Sequence, residues 1–384
     1  MKITSIGHDK VYPPIGCAHR SYHILKYLSE DFDVVLIGHS GAITKLREYT
    51  ISKSFSLLEI PGMITTAIGA LGYFLTKKPL FDPALAWTCR RSPSLLSRYL
   101  EHANESEILV FEGCWHFPLL SKVRNGNEKL IVYDAHNVEY ILKKQVYSSI
   151  LEKKLLPKIF ALEKRACEES DIVLTTSKEE KESFLSLYGI DKSKIHIVPN
   201  GVSLPEKDRN VIDRTVLFIG GTYFANFEAA KFINDALAPK LPEFTFRIAG
   251  RCCIEVKKKQ KNVELYGLIS EEKKDRLLRT SELAINPIMH GAGVNVKMLE
   301  YMAYGTPIVT TSLGARGIEY EKEPFLISDL GQFDSAIKSL SANPELMREL
   351  EKNARETIIK KYEWSVVTKG LSQLFRERLK EKLL

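Results

Sequence analysis

The chain has 384 residues, 44% of them hydrophobic and 27% charged, and a formal net charge of +7. That length exceeds what one ordinary core holds and suits two domains of about 150–200 residues in a soluble globular protein. The modest positive excess fits anionic phosphates or a membrane surface, whereas neither zinc-finger spacing nor aromatic–basic interleaving is present, which excludes a nucleic-acid partner.

Short apolar runs alternate with longer amphipathic ones, the pattern of a parallel sheet covered by helices. No signal peptide is visible, because MKITSIGHDK leads straight into a strand at KITSIG (2–7). The loop VYPPIGCAHR (11–20) follows, with Gly16 in a turn after Pro13-Pro14, and then a helix through Leu28. DVVLIG (33–38) is the next strand. The segment PGMITTAIGALGYFLTKKP (61–79) is apolar from Met63 to Leu75, shorter than the roughly 20 residues that span a bilayer. Lys77 and Lys78 edge it, and Arg90 and Arg91 follow. Two readings fit: an ordinary core helix, or a segment lying in the headgroup layer of an anionic membrane surface. The strands ILVFEG (108–113), LIVYDAHN (130–137) and DIVLTTS (171–177) come later. His136 stands at the end of one of them, as a structural hydrogen-bonding group or a site residue. Ser177 and Glu180 form a capping box, Gly189 closes the helix they start, and Pro-Asn-Gly in IHIVPNGV (195–202) suits a hinge.

A second series starts at once: TVLFIGG (215–221), a helix over Asn226–Ala236, FTFRIAG (244–250), NVELYG (262–267), a helix after Ser270, and ELAINPI (282–288). HGAGVNVKMLEYMAYGTPIVTTSLGARG (290–317) comes next, and PFLISD (324–329) is the last strand. Within 290–317, Val294, Met298 and Met302 recur every four residues beside Leu299 and Ala303, an apolar helical face. Gly305 ends that helix and Pro307 prevents its continuation. Gly291 and Gly293 leave the backbone N–H groups at the helix start open to an anion, while Lys297 and Glu300 share one face. A plain turn and an exposed ion pair are the alternatives to a phosphate site. The predicted architecture is two Rossmann-like, doubly wound parallel-sheet α/β domains facing across a cleft, 1–200 and 201–363, with a charged terminal helix at 364–384. The six cysteines show no CxxC pairing, which argues against a zinc site or disulfide framework and for a reducing cytosol.

These motifs, in this order and at these intervals, resemble the family 4 (group 1) glycosyltransferases of GT-B fold, over almost the whole length and most strongly from Val216 to Gly317. IHIVPNGV is similar to the family's linker, VLFIGG to the first strand of its C-terminal domain, and GVNVKMLEYMAYGTPIVTT to its donor-site helix. YEWS (362–365) resembles the start of the helix that crosses back, which places 364–384 on the N-terminal domain. The resemblance implies transfer of a sugar from a nucleotide diphosphate sugar to an acceptor hydroxyl, with retention of configuration and neither cofactor nor required metal. No Asp-x-Asp metal motif stands at a strand end. The resemblance places the acceptor on the N-terminal side. With the membrane reading of 61–79, that acceptor is a glycan or lipid-linked molecule and the cytoplasmic protein docks on the inner membrane face, while the core-helix reading leaves no docking.

The resemblance also distributes roles. Glu300 binds the ribose hydroxyls, and Gly291, Ala292, Gly293, Val294 and Asn295 wrap the donor. Lys297 neutralises the diphosphate, His136 faces the donor sugar, and Gly16 lies near the diphosphate. Two departures stand out. The family's Glu-x7-Glu pattern meets Ala292 at its first position, and its Arg and Lys near the first C-domain strand meet Gly221 and Asn226. Members carrying a Gly-Ser or Gly-Thr turn and an Asn there exist, so this looks like a subgroup pattern. Arg251, after FTFRIAG, is a candidate replacement cation or a surface residue. The rivals are a GT-B nucleotide-sugar epimerase and a catalytically silent relative that binds nucleotide sugar. Ala292, Gly221 and Asn226 favour the silent relative; Glu300 and Lys297 argue against it.

Overall fold

The computed structural model describes residues 1–7, 11–12, 17–41, 43–76, 80–291 and 293–384. They form two units, Met1–Pro199 with Thr368–Leu384, and Asn200–Val367.

The first unit is built on eight strands: β1 (Lys2–Gly7), β2 (Asp33–Ser40), β3 (Arg47–Ser52), β4 (Phe55–Pro61), β5 (Ile108–Glu112), β6 (Leu130–Asp134), β7 (Ile172–Thr175) and β8 (Ile195–Ile197). Their spatial order is β3-β4-β2-β1-β5-β6-β7-β8. β5 and β6 are buried at every position, as strands covered on both faces must be, so they read as unbroken apolar runs. The sheet is not wholly parallel, because β3 runs antiparallel to β4 at the edge. The sequence reading passes over this pair, since REYTIS is polar and half exposed, as suits an edge strand. The first helix, Cys17–Leu28, begins inside the stretch expected to be loop. Ser177 caps its helix through Glu180 N at 3.2 Å. The Glu180 carboxylate takes Thr176 N instead of Ser177 N, so the box closes one residue early. Gly189 ends the helix in a left-handed conformation.

The helix Met63–Thr76 packs on the helix Phe81–Thr88 through its glycines. A Cβ on Gly69 would lie 2.1 Å from the Phe81 ring, and one on Gly72 2.9 Å from Leu80 Cβ, so only glycine permits the approach. The far side turns Met63, Ile64, Ala67, Ala70, Leu71 and Phe74 outward. An ordinary core helix would bury that face. At the other end of the chain, Leu371, Phe375 and Leu379 of the helix Leu371–Leu383 are buried, and Lys382 bonds Asp171 at 2.6 Å. The stretch 364–384 is not one helix: Trp364–Val367 is separate and counts with the second unit.

The second unit has six strands, β9 (Ile212–Ile219), β10 (Thr245–Ala249), β11 (Val263–Gly267), β12 (Ser281–Asn286), β13 (Ile308–Thr310) and β14 (Leu326–Ile327), in the order β11-β10-β9-β12-β13-β14. All neighbours are parallel. Successive residues of β9 serve opposite layers. Val216 and Phe218 join Ala229, Ile233 and Ile337, whereas Leu217 joins Leu299, Met302 and Ile358. The helix expected over 226–236 is Phe224–Phe232, continued by a π-helical turn, Ile233–Leu237.

Candidate functional site

In an open parallel sheet, ligands bind beyond the carboxyl ends of the strands, where strand order reverses. In the second unit that point lies between β9 and β12. The turn after β9 (220–223) and the segments after β12 (287–291 and 293–295) flank it, and the helix Val296–Ala303 follows the last of these. Gly291 (φ 146°) and Gly293 (φ 74°) hold conformations that L-residues avoid. Arg316 Nη2 donates to Gly293 O at 2.9 Å and fixes the loop. Asn295 caps nothing with its side chain, which instead donates to Gly314 O at 3.3 Å. The first-turn amides are therefore left without a side-chain cap, and the helix dipole favours an anion there.

Lys297 is the charged group at this spot. Its Nζ donates to Asn226 Oδ1 at 2.5 Å and lies 4.4 Å from the centre of the Phe218 ring. Among the described residues no carboxylate stands within ion-pair distance of it. Burial pushes the ammonium down to about 7, against weaker upward pulls from Cys252 and Glu300. A desolvated cation of this kind gains when an anion arrives. Asn226, which stands where the resemblance places a cation, is the residue that orients Lys297. Gly221 borders open space.

Glu300 and Lys297 do not pair with each other, so the exposed-ion-pair alternative falls. Glu300 Oε1 accepts from Lys274 Nζ at 2.8 Å, and Lys274 also meets Glu271 at 2.7 Å. Burial presses the Lys274 ammonium down, but Glu300 and Glu271 together hold it above its ordinary range. Sequence reasoning missed Lys274, because EEKKDR reads as a solvated helix face. Tyr301 OH accepts from Ile219 N at 2.9 Å and ties this helix to the end of β9. Val294 is half-buried beside the apolar layer. Arg251 is exposed just past β10 and makes no hydrogen bond or ion pair among the described residues. Ala292 and Gly16 lie outside the described residues.

His136 belongs to the first unit, just past β6. Its Nε2 lies 3.0 Å from Glu112 Oε2 and 3.7 Å from Asp134 Oδ2. Asp134 accepts from Arg20 Nη2 at 2.8 Å, and the nearby guanidinium and imidazole hold its carboxyl well below the usual range despite burial. The three ligand-type atoms of Glu112, Asp134 and His136 lie within 4.8 Å of one another. Arg20 already supplies the positive charge there, so the donor set suits a hydrogen-bonded ion network better than a metal. Glu112 and Arg20 were not anticipated. The available signal was an apolar strand closing on an acid, ILVFE beside LIVYD, at the carboxyl end of a parallel sheet.

Residues 16–205 match the family described as Glycosyltransferase Family 4, and residues 213–343 match Glycosyl transferases group 1. An alignment 261 positions long is 22% identical to glycogen synthase of Mycobacterium tuberculosis and covers 60% of this chain and 59% of that protein. The chain thus spans less than two thirds of that relative. Among solved structures, sucrose-phosphate synthase from Thermosynechococcus elongatus aligns with a TM-score of 0.74 at 16% identity, over 99% of each chain. Anabaena HepE in complex with UDP-glucose aligns at 0.67 and 13% identity, over 99% of this chain and 100% of that one. WaaG, a glycosyltransferase involved in lipopolysaccharide biosynthesis, aligns at 0.65 and 15% identity, over 97% and 99%. At such identities the likeness is one of fold, and the two α/β units are those of the GT-B fold.

Proposed function

The chain belongs to the group 1, family 4 glycosyltransferases, and from that membership we propose that it transfers a sugar from a nucleotide diphosphate sugar to an acceptor hydroxyl. The observation that carries this reading is Lys297, a desolvated ammonium without a described carboxylate partner at the switch point, beside uncapped helix amides. The UDP-glucose complex of the HepE relative supports a uridine diphosphate sugar as the donor.

The bond from the anomeric carbon to the diphosphate breaks, and the acceptor oxygen bonds to that carbon on the same face. The acceptor's proton goes to the departing phosphate oxygen. Negative charge grows on the diphosphate as this happens. Lys297 and the Gly291 and Gly293 amides stabilise it where it develops, an effect of ~3 kcal/mol per preorganised donor. Glu300 holds the ribose hydroxyls, with Lys274 fixing one of its oxygens and leaving the other to the ligand. His136 is the first unit's residue for the donor sugar. No metal is required.

The acceptor is a glycan carried on a membrane lipid, and the protein works in the cytoplasm, docked on the anionic inner face of the membrane. No described helix is long and apolar enough to cross a bilayer, but the outward face of Met63–Thr76 suits the headgroup layer. The WaaG relative, involved in lipopolysaccharide biosynthesis, supports this choice of acceptor.

Titration calorimetry with UDP-sugars tests the donor site. Glu300→Gln should stay folded and bind at least tenfold more weakly, because a charge-assisted bond to ribose becomes a neutral one (roughly 1.5 kcal/mol). Wild-type affinity in a folded Glu300→Gln protein removes Glu300 from the site.

A further inference from the structure

Resting on the role proposed for His136, we propose that Glu112 is a positioning residue that fixes this histidine's tautomer and orientation. Glu112 ends β5 directly opposite Asp134, the end of β6, in parallel register. Both carboxylates are buried, at 2% exposure. An ionised carboxylate only accepts hydrogen bonds. Glu112 receives Ser5 Oγ on Oε1 at 2.7 Å, and Ser21 Oγ at 2.7 Å and His136 Nε2 at 3.0 Å on Oε2. The hydrogen of that last bond therefore sits on Nε2.

Asp134 also feels the ring but stands farther from Nε2, at 3.7 Å against 3.0 Å for Glu112. Its oxygens accept from Arg20 Nε at 3.1 Å and Nη2 at 2.8 Å, and Arg20 Nη1 is anchored on Pro199 O at 3.0 Å. Arg20 and Asp134 thus balance each other. Among the described residues no lysine or arginine forms an ion pair with Glu112, and His136 is the basic side chain in contact with it. Ser5 comes from β1 and Ser21 from the helix Cys17–Leu28, so two further elements hold the carboxylate in place. A ring held this way keeps one face toward its target and tolerates positive charge better than a freely turning imidazole. Glu112 acts through His136.

Glu112→Gln keeps the size and the acceptor oxygen but removes the charge. It should lower kcat by about tenfold or more and leave KM for the donor unchanged, and Glu112→Gln with His136→Ala should be no slower than His136→Ala alone. Two-bond 1H–15N spectra of protein labelled with 15N-histidine supply a readout independent of turnover. They should show His136 protonated on Nε2, with ring shifts and titration that change in Glu112→Gln. If that variant fails to fold, Ser21→Ala, which loosens Glu112 by one bond, is read in the same assays and should move both in the same direction. An Nδ1-protonated neutral ring, unchanged His136 spectra in the variant, or losses that multiply in the double variant overturn the proposal. Should His136→Ala turn over like the parent, His136's role in transfer falls, and the spectra alone still decide whether Glu112 positions it.

Discussion

Lys297 shows how far a single residue could be read. Its place one turn past two glycines was visible in the chain; its partner was not, because Asn226 lies 71 positions away and only the β9–β12 adjacency brings them together. Asn226 stands where the resemblance expects a cation. In the fold it orients the cation that remains. The depressed titration of Lys297, from 10.5 to about 7, has a consequence for binding. At pH 8 the free site is mostly uncharged, and a bound diphosphate raises the lysine again, so binding takes up a proton. Affinity for UDP should accordingly fall as pH rises above about 7, whereas a site built on an ordinary lysine, charged to about pH 10, shows no such fall. Calorimetry at pH 8 in two buffers of different ionisation enthalpy should show this uptake, and Lys297→Gln should lose it. A heat of binding independent of buffer contradicts the assigned role.

Among the elements, the helix Met63–Thr76 was the one whose sequence left two readings open. Its mean composition is that of a core helix, and the difference lies in which side the glycines occupy. Gly69 and Gly72 line the contact with Phe81 and Leu80, so the large side chains are turned away from the core. Met63 is 72% exposed and Phe74 71%, on a helix about 21 Å long at 1.5 Å per residue. Trp87, also exposed, lies under the Arg91 guanidinium at 4.5 Å. Arg90 and Arg91 are exposed as well, and basic groups beside an apolar face suit an anionic surface; Lys77 and Lys78 lie outside the described residues. Sedimentation with vesicles containing phosphatidylglycerol should recover the protein at low salt and less of it at high salt. Leu71→Glu with Phe74→Glu should abolish recovery without lowering the melting temperature by more than a few degrees, since both side chains are mostly exposed. Vesicle binding by that double variant equal to the parent's means the face is not the docking surface.

At the scale of the whole molecule, the alternation of apolar and amphipathic runs was enough to read two doubly wound units, because buried parallel strands cannot hide in a sequence. What it did not reveal depends on contacts distant in the chain or on polar edges: the antiparallel β3, the Lys274–Glu300 pair and the Glu112 network. The last two of these are the ones that orient groups at the carboxyl ends of the strands. The central claim, sugar transfer from a nucleotide sugar, is tested most directly by following UDP release and the product's anomeric signals by NMR. The assay contains UDP-sugars and a lipid extract, with EDTA present. The account predicts UDP released with product of the donor's own anomeric configuration, a rate unaffected by EDTA, and a rate at least a hundredfold lower in Lys297→Ala. Tight donor binding without release from any donor, product of inverted configuration, or activity that EDTA abolishes and magnesium restores would contradict it.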